Sequence, residues 1–497
     1  MRRHEQRIAP ESSDGTPSLS RRHIHRRAVL AFATVAAGSV LAAPAWSQNA
    51  ATSDVGALGG GLKWVASWAT AIQSAYAAPT TPQGPAIPAY DPQPDLSFAL
   101  PGATTNGVSN QTMRMIIKPD LWGDVVRVRF SNVFGTKPVT FSAASVALQD
   151  YQANLVRGSS VPLAFGGQAS LTVQPGQQAF SDPIRLSFVT LGSMSSLRGR
   201  NLAVSFAVAG SSGPASYHDT AFTTSYISPP GSGDVTQAND DVVFPYSTTS
   251  FFFVSELDVV ASRDTLVICA FGDSITDGTF STLNGNDRWS NVMSRQLHDR
   301  FGNRVSVVNE GIGGNAVAVG GAGQPATQRV GRDVIGLSGI NLVVWLEGIN
   351  DLGGGSTADP VIAGYRNVVG QLHQAGVKVI GATVTSSFPL GGQVPANSPL
   401  AAVSPALAAS YGSAQTNAYR MQLNTFILTS GIFDATADFA AVTTDPSTGS
   451  LYAPFVPNSE GSAGDYLHPN RAGYQVMGVA AANAVVGLVG AGSSSSH

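Results

Sequence analysis

Four short stretches in the second half of this chain of 497 residues carry residue types suited to acyl transfer: Gly272-Asp273-Ser274, Gly314, Gly348-Ile349-Asn350-Asp351 and Asp465-Tyr466-Leu467-His468. Such chemistry needs a nucleophile, a base beside it, a group that orients the base, and donors aimed at the oxygen that turns negative in the tetrahedral intermediate. Ser274 offers the hydroxyl. Of the eight histidines, His4, His23 and His25 fall in a basic N-terminal stretch and His497 ends the chain. His298 and His373 fall in predicted helices and His218 in a β-rich stretch, which leaves His468 as the candidate base. It stands in a loop ahead of a predicted helix, where Asp465 can reach its other ring nitrogen, fix its tautomer and stabilise the imidazolium. The Ser274 and Gly314 N–H groups and the Asn350 side-chain amide are the candidate oxyanion donors.

Each stretch also has an ordinary reading. Gly-Asp-Ser is a common turn, Asp-x-x-His can merely cap a helix, and the Gly and Asn stretches suit turns. Their coincidence carries the argument, because three of them each close a different predicted strand. The G-x-S-x-G elbow of the α/β-hydrolases is absent.

The elements that must position these residues fall into two textures. From residue 62 to 263, short alternating runs such as Val126-Arg127-Val128-Arg129-Phe130 lie between turn residues, which predicts a β-rich region, a sandwich of jelly-roll type. Residues 78–94 form a Pro-rich loop or arm. From 264 to 490 the pattern is α/β, with strands at 266–271, 305–308, 342–346 and 377–384 and a closing helix after Pro469. Right-handed crossovers make such a sheet parallel, with helices on both faces and ligands beyond the carboxyl ends of its strands. Residues 389–413 are a low-complexity insert, either a rim over the site or a plain surface loop. A Ser-rich tail begins at Ser493.

With 43% hydrophobic and 12% charged residues the chain can fill two packed cores. A formal net charge of -3 provides no source for phosphate attraction, so a nucleic-acid partner is not expected. The first 47 residues read as an export signal of twin-arginine type, His25-Arg26-Arg27-Ala28-Val29-Leu30 leading into an apolar run over 28–45. Cleavage follows Ala45 or Ser47; an uncleaved anchor is the alternative. No later segment reads as a membrane span, and the mature protein is expected in a bacterial periplasm or outside the cell. The single cysteine, Cys269, lies in a buried-strand pattern and is given no catalytic role.

On Ser274, Gly314, Asn350 and His468, in that order, with Asp465 in the Asp-x-x-His pairing, the chain resembles the SGNH or GDSL-type hydrolases. The resemblance covers residues 264–488. It implies a flavodoxin-like three-layer α/β/α domain, without metal or cofactor, that cleaves esters through an acyl-serine. The preceding β-region, with Trp64 and Trp68, and the form Leu346-Glu347-Gly348-Ile349-Asn350-Asp351 also resemble a secreted bacterial subgroup. Ile275 replaces the usual Leu, a swap of like volume.

Other readings stay open at this level. Gly311-Ile312-Gly313-Gly314-Asn315-Ala316 formally fits a dinucleotide fingerprint, but that fingerprint opens a helix at once and needs an acid at the end of the next strand, and here the acid of Trp345-Leu346-Glu347 comes too far along, beside an Asn350 that suits an oxyanion better. A carbohydrate-binding protein could stack sugars on Trp64, Trp68 and Trp122, although tryptophans are more often core. Acyl transfer to a sugar or other alcohol uses the same residues as hydrolysis. Four lysines and low charge suit neutral esters, acetylated carbohydrate among them, with lysophospholipids and small aryl esters as alternatives. His218 and Tyr217 either line the cleft or pack in a sheet. Oligomeric state is not legible.

Overall fold

The computed structural model describes residues 60–76, 93–318, 320–392, 394, 398–457 and 464–494. The export signal at 1–47 and nearly all of the Pro-rich stretch lie outside them.

Alternation at the start of the chain produces antiparallel strands. One sheet runs in the order β1 (Leu62–Ala69), β7 (Val254–Ser262) and β3 (Val125–Ser131), with short strands beyond β3. The centre of the second is β2 (Ser109–Ile117), β5 (Leu202–Ser211) and β4 (Val139–Leu148). β6 (Ser216–His218) belongs to a small third sheet. The two large sheets face each other through an aromatic core, in which the Phe130 ring lies 4.9 Å from Phe141 and 5.7 Å from Phe206. The other face of β3 is not solvated. Arg127 pairs with Asp258 and Arg129 with Glu256, both at 2.8 Å, and all four side chains are buried against the α/β region. There Ser338 donates its N–H to Glu256 at 2.9 Å and its hydroxyl to Asp258 at 2.6 Å.

Past residue 264 the strands are β8 (Leu266–Gly272), β9 (Val305–Gly311), β10 (Ile340–Leu346), β11 (Lys378–Ala382) and β12 (Ala435–Ala437). They form one parallel sheet in the order β9-β8-β10-β11-β12. The first strand thus lies between the second and third, the doubly wound arrangement in which a crevice opens at the carboxyl edge. The last strand, three residues long, is too short to stand out in sequence.

Both faces of this sheet are covered, which explains why its strands are continuous apolar runs. Successive side chains alternate faces. Val267, Cys269 and Phe271 join an apolar cluster continuous with the β-sandwich core. Ile268 and Ala270 join a second cluster with Trp289, Met293 and Leu297 of helix α2 (Trp289–Phe301). The interior therefore divides by sheet face rather than at the residue 263/264 boundary, and residues 48–497 hold together as one compact unit.

The closing helix α9 (Arg471–Ser494) corrects two expectations. Its residues 471–490 are long and apolar enough to cross a membrane, although no such segment was expected after the N-terminal one. Tyr474, Met477, Ala481 and Val485, on one face, are buried in the second cluster, so a core role accounts for that composition. The helix also includes Ser493 and Ser494, where the Ser-rich tail was expected to start.

Candidate active site

The carboxyl ends of β9, β8 and β10 are level, since Gly272 is paired with Gly311 on one side and Leu346 on the other. The loops that follow them emerge side by side. A side chain at position 272 would place its Cβ 2.0 Å from the Leu346 carbonyl oxygen, so the turn from β8 demands glycine. Asp273 then caps the single-turn helix α1 (Ser274–Asp277), its carboxylate accepting the Ile275 N–H at 3.0 Å. Burial, reinforced by Glu347, pushes the Asp273 carboxyl well above the usual range. Ser274 is the first residue of that helix, where an N–H has no intrahelical acceptor.

His468 arrives from the other end of the chain. Its Nε2 lies 2.7 Å from Ser274 Oγ, and its Nδ1 lies 2.6 Å from Asp465 Oδ2. Asp465 Oδ1 also accepts the Leu467 and His468 backbone N–H groups at 3.0 and 2.9 Å. The intervening Tyr466 sits at φ 62°, a left-handed conformation that folds the segment back on its own carboxylate. Helix α9 is tied to the serine loop by Tyr474, whose hydroxyl donates to the Thr279 carbonyl at 2.6 Å. Ser274, His468 and Asp465 are all buried to within 6% exposure, so their hydrogen bonds are shielded from competing water.

The remaining two positions meet through Asn315. Gly314 sits at φ 74°, and among the described residues its N–H has no acceptor. Asn350, in helix α4 (Ile349–Gly353), donates one Nδ2 hydrogen to the Asn315 carbonyl at 2.7 Å, leaving the other for a ligand. A hydroxyl attacking beside an imidazole, with uncommitted donors on neighbouring loops, is the equipment of acyl transfer.

Residues 270–476 match the model of the GDSL-like lipase/acylhydrolase family. This part of the chain is a GDSL-like acylhydrolase domain, and the protein is a carboxylic ester hydrolase. No curated protein matches it. Solved structures similar to it include a carbohydrate acetylesterase from Sinorhizobium meliloti, 17% identical, matching 45% of this chain and 99% of that one with a TM-score of 0.33. The native M. smegmatis aryl esterase is 18% identical over 45% of this chain and 99% of its own, with a TM-score of 0.33. A GDSL-like lipase from Bacteroides thetaiotaomicron is 18% identical over 45% and 88%, with a TM-score of 0.31.

The acylhydrolase domain depends on residues that carry no signal in the sequence. Arg329, wholly buried in helix α3 (Ala326–Val330), donates to the carbonyls of Gly272 and Glu310 at 2.8 Å each and to Asn315 Oδ1 at 2.7 Å. It stitches together the loops after β8 and β9. A lone arginine in an unremarkable stretch gives no hint of this, because its partners are distant in sequence. Tyr411, at the end of the low-complexity insert, donates its hydroxyl to Asn350 Oδ1 at 2.7 Å.

Other positions fall away from the cleft. His218 is buried in β6, with Nδ1 2.8 Å from the Ala71 carbonyl and Nε2 3.2 Å from Asp277 Oδ1. Tyr217 beside it stacks on Phe252. Trp64 and Trp122 are buried, and Trp68 packs edge-on against Phe251, so these rings serve packing. The glycine stretch at 311–316 opens no helix, since the next begins at Ala326. Cys269 is buried, and that burial pushes its thiol well up.

Proposed function

We propose that the chain is an exported serine esterase acting on neutral carboxylic esters through an acyl-Ser274 intermediate. The continuous relay from Ser274 Oγ to His468 Nε2 and from His468 Nδ1 to Asp465, at 2.7 and 2.6 Å, is the observation that carries this reading. Ser274 attacks the ester carbonyl while His468 takes its proton, and Asp465 holds the ring and stabilises the imidazolium. The Ser274 and Gly314 N–H groups and the free Nδ2 hydrogen of Asn350 receive the oxyanion. The tetrahedral intermediate collapses as His468 protonates the departing alcohol. Water, deprotonated by the same ring, then attacks the acyl-serine and releases the acid.

Export rests on the paired arginines and apolar run at the N-terminus. The low charge of the chain supports neutral substrates, acetylated carbohydrate being the class to examine first. The test is hydrolysis of p-nitrophenyl acetate by the mature protein beside Ser274→Ala, with intact-mass analysis for an acetyl adduct. Loss of turnover in the variant by at least about 10⁴-fold is expected, by analogy with other serine hydrolases. Equal rates in both proteins would refute the mechanism. Acetylated glycans, lysophospholipids and aryl esters compared at equal concentration then rank the substrate classes.

A further inference from the structure

The insert between β11 and helix α8 (Ala414–Thr429) reads as rim or surface loop, yet its last helix α7 (Pro405–Tyr411) reaches the oxyanion site. The Tyr411 ring is buried, with its hydroxyl 2.7 Å from Asn350 Oδ1. The room for that ring comes from a second position. A Cβ at Gly353, the last residue of α4, would fall 2.3 Å from Tyr411 Cε1 and 2.4 Å from Cζ. The backbone of Tyr411 is anchored as well, its carbonyl accepting the Ser387 hydroxyl at 2.8 Å.

We propose that Tyr411 is a positioning residue for the oxyanion site, holding and polarising the Asn350 amide so that its free Nδ2 hydrogen points at the substrate oxygen. The proposal rests on the serine-esterase reading above. Asn350 has two fixed partners, a donor on its oxygen and the Asn315 carbonyl on one amide hydrogen. A flipped amide would set Oδ1 against that carbonyl, so one orientation is retained. A donor on an amide oxygen also draws charge from the nitrogen, which strengthens the remaining N–H as a donor. Burial raises the phenol above its ordinary value, with Asp273, Asp351 and Asp465 adding to the effect, so the hydroxyl keeps the proton it donates. The insert thereby supplies part of the machinery rather than a covering loop.

The test compares wild type, Tyr411→Phe, Gly353→Ala and the double variant for kcat and KM on p-nitrophenyl acetate, and for inhibition by an alkyl boronic acid that forms a tetrahedral adduct on Ser274. Loss of one neutral hydrogen bond should lower kcat about tenfold in Tyr411→Phe. KM should stay within about twofold, and boronate affinity should fall by the same factor as kcat. Gly353→Ala should displace the ring and reproduce the defect, yet add little in the Phe background. Wild-type kcat and boronate affinity in Tyr411→Phe would overturn the proposal, as would a rise in KM alone or fully multiplicative effects of the two substitutions. A wild type no faster than Ser274→Ala would instead defeat the esterase reading itself.

Discussion

The sandwich and the α/β region both bury many charged groups, but they use them differently. In the α/β region the polar side chains converge on a crevice and leave donors uncommitted, as at Gly314 and Asn350. In the sandwich Arg127, Arg129, Glu256 and Asp258 are buried and turned toward one another and toward Ser338. The contact between the regions is reciprocal. His218 of the small third sheet meets Asp277 of α1, while Asp120 from the β-rich side meets His298 of α2 at 2.9 Å. A buried, perturbed charge therefore marks an interface as readily as an active site; what distinguishes the candidate site is the unspent donor near a serine hydroxyl that is hydrogen-bonded to an imidazole.

That contrast can be broken first at the interface. Arg127→Ala leaves Asp258 buried beside Ser338 without its cation, and chemical denaturation should show a loss of about 3–5 kcal/mol. The kcat of the folded fraction should be unchanged; a falling kcat would mean that the sandwich does shape the chemistry. Asn350→Ala should do the reverse, lowering kcat about 10²–10³-fold with little change in stability. Unchanged turnover would remove Asn350 from the oxyanion site.

The two histidine contacts sharpen the comparison through pH. Burial opposes charge on His218, with Arg288 adding to that opposition, yet Asp277 and the Ala71 carbonyl outweigh both and raise it above its usual value of 6.5. His298 is likewise raised, Asp120 and the Gly302 carbonyl overcoming burial and Arg198. A raised histidine stabilises the fold fully below the unfolded value and loses that contribution as pH climbs through the folded one. The stability gap between wild type and a His218→Gln/His298→Gln protein should therefore be widest below pH 6.5 and narrow above it. A gap that is constant with pH would show that neither ring is charged in the fold.

A further pH test falls at Glu347, which accepts Trp345 Nε1–H at 2.8 Å. Burial raises it from 4.5 to about 7 despite Arg329. The folded chain then holds a proton that the unfolded chain has released, so wild-type stability relative to Glu347→Gln should fall from pH 4.5 to about 7 and level off above. Melting curves across that range decide it.

Much of the α/β region was legible because its signals are local. Apolar runs, helical spacing and turn residues follow from the backbone geometry of a few consecutive residues, and four of the five parallel strands could be read that way. The three-residue Ala435–Ala437 was too short to show such a pattern. Asp465 and His468 are three residues apart, so their contact is within reach of a single turn. In the sandwich the Val-Arg-Val-Arg-Phe alternation gave the strand but not the fate of its arginines, because period two assigns faces without saying what covers each.

The sequence by itself determined the strand-end loops, the order of the four motifs and the local Asp-x-x-His pairing, since each depends on neighbours along the chain. Tertiary structure alone decided that Arg329 ties the end of β8 to β9 and the loop after it, that Gly353 makes room for Tyr411, and that Tyr411 reaches Asn350 from 61 residues away. Those contacts arise where distant segments pack, and a hydrogen bond between them leaves no periodicity for a single sequence to display.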